Sequence, residues 1–246
     1  MARSPFHALF VALVGAQLGY PGVSERSQPQ ATRAVVGLML ATSFAEAARA
    51  RSTPRAVALL GSAGAVGFAA ELVGTATGRP FGRYRYSDRL GRRLGGVPLA
   101  AAAAWAMMAR PAWTVGGLLS SRRLARVAAS SAALCAWDVF LDPRMVRDGY
   151  WEWANGGRYE GVPASNYLGW LLTGTILFSA WSALDAETPA GKDDDGALAL
   201  YLWTCAGETL ANAVVWRRRR VAMAGGVAMS ALAVPAVIAR RRGPRP

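Results

Sequence analysis

Apolar residues in this chain are grouped in eight long blocks separated by polar segments, and they do not alternate as in an exposed strand. With their flanks, most blocks reach the roughly 20 residues that a helix needs to cross a bilayer. The pattern predicts an all-α, polytopic membrane helix bundle with seven or eight transmembrane helices, forming one domain over residues 1–246. The blocks are residues 6–20, 31–48, 56–73, 97–109, 124–141, 166–184, 198–216 and 221–239.

Two blocks decide the helix count. Residues 6–20 have the length of a signal peptide, but the Tyr-Pro-Gly turn that follows lacks a small-residue cleavage site, which favours a short transmembrane helix. The block at 97–109 is short, and we expect it to continue through Pro111 to Leu119 as a kinked or re-entrant piece. If that piece adds no crossing, the two long loops around it emerge on the same face.

Composition and charge agree with lipid as the surrounding solvent. The chain is 53% hydrophobic and 17% charged, whereas soluble domains carry about 25% charged residues. The net charge of +13 also occurs in nucleic-acid-binding proteins. Here the arginines flank apolar blocks, for example at 122–126 and 217–220, as in helices that end at anionic headgroups. We therefore expect membrane lipid, and no nucleic acid, as a partner.

The first long loop follows an acidic residue at the end of an apolar block. Glu71 is costly to bury in lipid unless it is paired or hydrated, and intramembrane acids commonly mark functional sites. Tyr84 and Tyr86 alternate with arginines after a Gly- and Pro-rich turn. The alternative interpretation is an interfacial belt of aromatic and basic residues in which Glu71 pairs with a nearby arginine.

The second long loop follows two aspartates. Asp138 and Asp142 are four positions apart, so both carboxyls lie on one face of the helix end. Two close carboxyls in a water-poor setting do not both ionise readily, so one can stay protonated and serve as a general acid. Pro143 favours a helix stop here, which would place Asp142 at or beyond the end of the helix, where it could be only a turn residue.

Aromatic side chains crowd this loop and the next helix entrance, where Trp151, Trp153 and Trp170 stand close to Asn166. Interfacial anchoring explains such residues generically, but aromatic faces also stabilise cations in a water-poor pocket. On the seventh block, Glu208 lies on one stripe with Tyr201 and Asn212, and is either an additional acid or a hydrogen-bonding partner of Asn212.

The remaining polar residues carry little signal. One histidine and two scattered cysteines do not have the spacing of a metal site, so we expect no metal ligands. The acidic segment at 185–196 is typical of a solvated connector, and we do not interpret its aspartates as a diphosphate–magnesium site. Glu46 lies one turn from Arg49, which favours a local ion pair.

These motifs together resemble the integral-membrane carotenoid biosynthesis protein family, of the carotenoid 1,2-hydratase and bisanhydrobacterioruberin hydratase type. The resemblance covers about residues 56–184. The motifs that carry it are Glu71 with Gly74, Thr77-Gly78, Phe81-Gly82, Tyr84-x-Tyr86, Gly96-Val97-Pro98, residues 138–143, Gly149-x-Trp151-x-Trp153, and Asn166 with Gly169-Trp170.

The resemblance implies acid-catalysed hydration of a terminal isoprenoid double bond in an acyclic carotenoid, giving a tertiary alcohol without a metal or redox cofactor. One of Asp138, Asp142 and Glu71 would protonate the alkene, while a second, ionised carboxylate would stabilise the cation and take a proton from water. The side chains expected to bind the substrate are Trp137, Tyr84, Tyr86, Trp151, Trp153, Asn166 and Trp170.

The resemblance also implies a multi-pass protein of a bacterial cell membrane, with other carotenoid biosynthesis enzymes as partners. Two alternatives stay open on the residues alone. Cyclisation or isomerisation of a carotenoid end group also begins with alkene protonation. A transporter or a carotenoid-binding scaffold would need no catalysis, although the chain lacks the inverted repeat that many transporters show.

Overall fold

The computed structural model describes residues 5–184 and 194–242, and most of its elements are helices. A π-helical turn, Ala211–Val215, continues the seventh helix. The helical fold predicted from the apolar blocks is confirmed. The described helices are α1 (Pro5–Gly19), α2 (Gln28–Ala50), α3 (Thr53–Thr77), α4 (Leu99–Leu119), α5 (Arg123–Arg147), α6 (Ala164–Leu184), α7 (Asp195–Leu210) and α8 (Arg219–Arg242).

The helices run in alternating directions between two ends of the bundle. At one end, called here the loop end, the segment after α5 meets the start of α2, where the Tyr150 and Thr32 hydroxyls lie 2.6 Å apart. At the opposite end, Arg240 near the end of α8 pairs with Asp195 at the start of α7, with 2.6 Å between Nε and Oδ1. A line from the loop end to the opposite end is therefore the long axis of the bundle.

Four of the described helices are long and apolar enough to cross a membrane: Thr53–Thr77, Arg123–Arg147, Asp195–Val215 and Arg219–Arg242. The chain is thus a helical membrane protein, and the count of seven or eight spans stays a prediction. Between the helices lies an aromatic core in which Trp105, Trp113 and Trp181 are almost fully buried.

The helix α4 settles the question raised by Pro111. It runs without a break to Leu119, with Pro111 buried inside it, so the expected continuation is confirmed and adds no crossing. The two long loops accordingly emerge together, because strand β1 (Tyr84–Tyr86) of the first pairs with strand β4 (Trp151–Trp153) of the second. A second short pair, β2 (Arg93–Leu94) with β3 (Val97–Pro98), lies between α3 and α4.

The expected helix stop at Pro143 is wrong. The helix α5 continues through Pro143 to Arg147, which places Asp142 inside it. Proline has no backbone N–H and so leaves the carbonyl four residues earlier, that of Val139, without its helical donor. The Tyr159 hydroxyl donates to that carbonyl at 3.1 Å. A residue of the following loop therefore satisfies the acceptor that the proline leaves open.

A buried ionic cluster joins three helices at the opposite end. Arg110 of α4 is fully buried and donates to Glu46 of α2, with 3.0 Å between Nε and Oε2. It also pairs with Asp194, which Arg51 reaches at 3.0 Å. The predicted local ion pair of Glu46 with Arg49 did not include Arg110, its long-range partner. The solvated-connector interpretation of residues 185–196 is wrong for Asp194, which is buried, whereas Asp195 is exposed. Residues 185–193 lie outside the described part of the chain.

Candidate active site

A cavity lies at the loop end between α2, α3, α4 and α5, beneath the β1–β4 strand pair. Its volume is about 60 Å³. Most of its wall is aromatic or aliphatic, and its carboxyl groups come from Glu71 and Asp142. The lining residues are Thr32, Val36, Glu71, Phe81, Tyr84, Tyr86, Leu90, Ala100, Ala101, Ala104, Trp105, Met107, Leu141, Asp142, Met145, Trp151, Trp153, Asn166 and Trp170.

The strand pair covers this cavity because its residues alternate in polarity with the period of a strand. Tyr84 lies opposite Trp153, and Tyr86 lies opposite Trp151, and all four side chains line the cavity. Between them Arg85 lies opposite Glu152, and the Arg85 Nε donates to Oε1 at 2.7 Å on the exposed side. The pair therefore has an aromatic inner face and a charged outer face.

Glu71 is held in the cavity wall by three neutral donors. The Tyr84 and Tyr86 hydroxyls both donate to its Oε2, the second at 2.8 Å, and the Trp105 indole N–H donates to Oε1 at 3.1 Å. Burial, and then the nearby Glu71 carboxylate, raises the pKa of both Tyr84 and Tyr86 above the ordinary value. The two phenols therefore stay protonated and remain donors.

Two glycines of α3 make room for this arrangement. A side chain at Gly67 would collide with the Trp105 ring, and a Cβ at Gly74 would lie 2.8 Å from the Tyr84 hydroxyl oxygen. Cβ atoms do not approach other atoms so closely, so each position needs glycine for the donors to reach Glu71. The helix itself begins at Ser52, whose hydroxyl accepts from the Arg55 N–H, and ends at Gly78 with a positive φ of 75°.

The second acidic group is an aspartate pair that shares one amide. The Asn166 Nδ2 donates to Asp138 Oδ2 at 2.7 Å and also to Asp142 Oδ2. The Trp151 indole N–H donates to Asp142 Oδ1 at 3.1 Å. Asp142 lines the cavity, whereas Asp138 lies behind it, fully buried, and its Oδ1 has no hydrogen-bond partner in the described residues. The i,i+4 spacing thus brings both carboxyls to one donor.

In the part of the chain that the structure describes, no cation is paired with these carboxyls. Within residues 5–184 and 194–242, the hydrogen bonds to Glu71, Asp138 and Asp142 come from tyrosine, tryptophan and asparagine side chains. Glu71 and Asp142 lie close enough for their charges to interact. The expected alternative, in which Glu71 pairs with a nearby arginine at the interface, is therefore not what the structure shows.

Tryptophan rings form the inner wall. The Trp105 and Trp170 rings are stacked with their centroids 3.9 Å apart, and Trp137 meets Trp170 edge-on at 6.0 Å. Flat π-faces of this kind attract positive charge within about 6 Å. The cavity therefore combines two carboxyl groups with aromatic surface in a setting that contains little else that is polar.

The structure brings most of the predicted site residues together. Tyr84, Tyr86, Trp151, Trp153, Asn166 and Trp170 line the cavity with Glu71 and Asp142. Asp138 and Trp137 do not line it and instead support Asn166 and Trp170 from behind.

The predicted additional acid, Glu208, is not part of the cavity wall. The Asn212 Nδ2 donates to Glu208 Oε2 at 3.3 Å, in agreement with the alternative that Glu208 is a hydrogen-bonding partner of Asn212.

Sequence reasoning missed the contributions of α2 and α4. Trp105 of α4 supplies both a donor to Glu71 and one wall of the cavity, and Thr32 and Val36 of α2 line it as well. The available signal was a single tryptophan in a run of alanines at 100–104. An aromatic residue that faces a run of small side chains fills the space that they leave.

Fold and site define a class: an α-helical membrane protein with an aromatic cavity that holds uncompensated carboxyl groups. The family model described as "Carotenoid biosynthesis protein" matches residues 28–235. The chain belongs to this carotenoid biosynthesis family, and the resemblance seen in the sequence is confirmed. The match extends well beyond the residues 56–184 that suggested it, and it includes α2 and α7.

One curated relative is a bisanhydrobacterioruberin hydratase of Haloarcula japonica, which is 35% identical over 111 residues. That stretch is 43% of this chain and 38% of the relative, so the match spans well under half of the relative's length. No solved structure matches the chain.

Proposed function

We propose that the chain is a carotenoid hydratase that adds water to a terminal isoprenoid double bond of an acyclic carotenoid. The observation that carries the proposal is the placement of Glu71 and Asp142 on two walls of one aromatic cavity, each held by neutral donors. Alkene hydration needs an acid, a base and tolerance for a tertiary cation, and it needs no oxidant. Membership of a carotenoid biosynthesis family and the hydratase relative support this substrate and reaction class.

The aspartate pair is the proton donor. Asp138 and Asp142 share the Asn166 amide in a buried site, and two such carboxyls do not both ionise readily, so the pair holds a proton. Asp142 faces the cavity and delivers this proton to the terminal CH carbon of the double bond. The alkene π electrons form the new C–H bond, and the positive charge develops on the tertiary carbon.

Glu71 is the base. It accepts three hydrogen bonds, from Tyr84, Tyr86 and Trp105, and donors directed at a carboxyl group favour its ionised form. Its charge and the faces of Trp105 and Trp170 stabilise the cation. Water adds to the tertiary carbon and gives a proton to Glu71. Transfer of that proton back to the aspartate pair restores the starting state, so one water molecule is consumed and no proton is gained or lost.

The test is product analysis in a host that accumulates acyclic carotenoids. Wild-type protein should convert the pigment to one that is more polar and heavier by one water. Asp142→Asn and Glu71→Gln should lower conversion at least about 100-fold at equal membrane expression, which is the usual range for loss of a general acid or base. Asp138→Asn should lower it less, because Asp142 alone faces the cavity.

Glu208→Gln is the matched control, because Glu208 is also an acidic residue on a helix but does not line the cavity. It should leave conversion unchanged. A product of unchanged mass would show that the reaction is cyclisation or isomerisation and not hydration. Full activity of both Asp142→Asn and Glu71→Gln would show that the cavity is not the active site, and unaltered pigment with well-expressed wild type would favour a transporter or scaffold.

The membrane arrangement proposed with this function is multi-pass, with the alternating helices crossing a bacterial cell membrane and the loop end at one surface. Single cysteines placed at exposed Arg85 and exposed Arg242 should react with an impermeant thiol reagent from opposite sides. Labelling of both from one side contradicts this arrangement.

A further inference from the structure

A second, larger opening adjoins the acid cavity. It is a groove between α2 and α3 with α4 as its floor, and its volume is about 1320 Å³. Half of the residues that line it are Gly or Ala, among them Gly37, Gly61 and Gly64, so its surface is smooth and wide. Arg49 is the one charged residue among those that line it, and it lies at the opposite end.

The groove and the acid cavity share the same helices. On α2, Val36 lines the cavity and Gly37 lines the groove, and on α4 the same change occurs between Ala101 and Ala102. The groove then continues along α3 from Phe68 down to Val57, about 16 Å at the helical rise of 1.5 Å per residue. The groove therefore leads from beside the cavity toward the opposite end of the bundle.

The chemistry of the groove selects its occupant. A carotenoid is apolar along its length and rod-like, so it gives up no polar contact in the groove. In the groove, the apolar surface of the carotenoid also exchanges contact with flexible lipid chains for contact with fixed helix backbones.

We propose that this groove binds the polyene chain of the substrate, with the reacting end group in the acid cavity; the identity of the substrate rests on the proposed function. The groove is open to the side of the bundle, so the polyene enters laterally between α2 and α3 and does not pass under the strand pair. Water has the other approach, from the charged outer face of the strand pair.

Two glycines allow the groove to be filled without disturbing the fold. A Cβ added at Gly37 or Gly61 meets no atom within 4 Å, and leucine is a better helix former than glycine. Gly37→Leu and Gly61→Leu therefore place a large side chain in the groove. Gly15→Leu on α1 is the matched control, because Gly15 is also an exposed mid-helix glycine with no atom within 4 Å but lies outside the groove.

The experiment measures pigment that co-purifies with each variant from a carotenoid-accumulating host, as the ratio of pigment to protein absorbance. Wild type, Gly15→Leu and Asp142→Asn should retain pigment, whereas Gly37→Leu and Gly61→Leu should retain at least about tenfold less, a loss of about 1.4 kcal/mol in binding. For active protein, the ratio of turnover on a carotenoid to turnover on a short isoprenoid with the same end group should fall in parallel.

Equal pigment retention by Gly61→Leu and Gly15→Leu would overturn the proposal, as would loss of co-purified phospholipid with pigment retained. Failure of the proposed function has a different signature. Wild type that holds pigment but leaves it unhydrated, with pigment lost in Gly61→Leu, would support the groove and reject the hydratase activity.

Discussion

Two clusters of buried carboxyls, one at each end of the bundle, differ in what holds them. At the opposite end, Glu46 and Asp194 are neutralised by Arg110 and Arg51, with nitrogen–oxygen distances of 3.0 Å for Arg110–Glu46 and Arg51–Asp194. At the loop end, the described partners of Glu71 are two phenols and an indole, and those of Asp142 are an indole and an amide.

The difference separates a structural cluster from a chemical one. A carboxylate paired with a buried guanidinium keeps its charge and its position, because either change leaves an uncompensated ion. A carboxyl held by neutral donors can exchange a proton without breaking an ion pair. Burial alone therefore does not distinguish the two clusters in this molecule; the charge of their partners does.

The largest expected effect that tests this comparison is on stability. Arg110→Met leaves Glu46 as an uncompensated buried carboxylate, which should cost about 3–5 kcal/mol. Thermal unfolding in detergent, followed by circular dichroism, should show a large fall in Tm. The turnover of the molecules that stay folded should change little, because Arg110 does not line the cavity.

The double variant Arg110→Met/Glu46→Met is the control for that prediction. It replaces both charges of the pair by apolar side chains, and Asp194 keeps Arg51. Most of the lost stability should return, since such replacements are often close to neutral. A folded, stable Arg110→Met protein without turnover would show that the two ends are coupled and would break the comparison.

A smaller effect is expected on activity from loss of one neutral donor. Tyr86→Phe removes the 2.8 Å hydrogen bond to Glu71 Oε2 but leaves Tyr84 and Trp105 in place. A hydrogen bond to a charged group contributes about 1.5–3 kcal/mol, so turnover should fall about 10- to 100-fold. Steady-state rates at equal expression measure this, with Tyr201→Phe as the matched control, because the Tyr201 hydroxyl donates to the Ala133 carbonyl and Tyr201 does not line the cavity.

The same residue sharpens the comparison through pH. Because the pKa of Tyr86 is raised in the folded protein, the unfolded chain loses this proton first as the pH rises. The stability from the neutral phenol is complete below about pH 10 and is lost above it. Tm measured between about pH 8 and pH 11 should fall at the alkaline end, and less steeply for Tyr86→Phe. Identical slopes would show that burial of this phenol is not linked to folding.

The smallest effect is expected on the outer face of the strand pair. Arg85 and Glu152 are 82% and 61% exposed, so their ion pair is largely screened by water. Arg85→Gln should change stability by less than about 1 kcal/mol and leave turnover intact. A large loss of activity in this variant would mean that the strand pair, and not only its inner aromatic face, takes part in the reaction.

The sequence was sufficient for the helices and for eight of the residues that line the cavity. Long apolar blocks predicted the bundle, and the i,i+4 spacing of Asp138 and Asp142 predicted a shared face. The strand pair was missed because Tyr-Arg-Tyr and Trp-Glu-Trp are each only three residues long, although both alternate with period two. Three residues can show the alternation of a strand, but such a segment is too short to be distinguished from a loop.

Long-range partners were beyond the reach of local patterns. Arg110 is 64 residues from Glu46, and nothing in the spacing along one helix predicts which arginine a buried glutamate will meet. The same holds for the Tyr159 hydroxyl, which allows α5 to continue through Pro143 and so fixes the position of Asp142. These contacts follow from how the helices pack, and packing was not available from periodicity.

The depth of Glu71 has a consequence for the product. It lies six residues before the end of α3, about 9 Å below the loop end, just under a strand pair whose outer face is charged. A hydroxyl group added there by the proposed hydration would form near the loop end, with the rest of the molecule directed along the proposed groove toward the opposite end. The alcohol would thus leave in the orientation in which a rigid rod anchors one leaflet, and a carotenoid with two reactive ends would have to turn over in the membrane before its second end could be used.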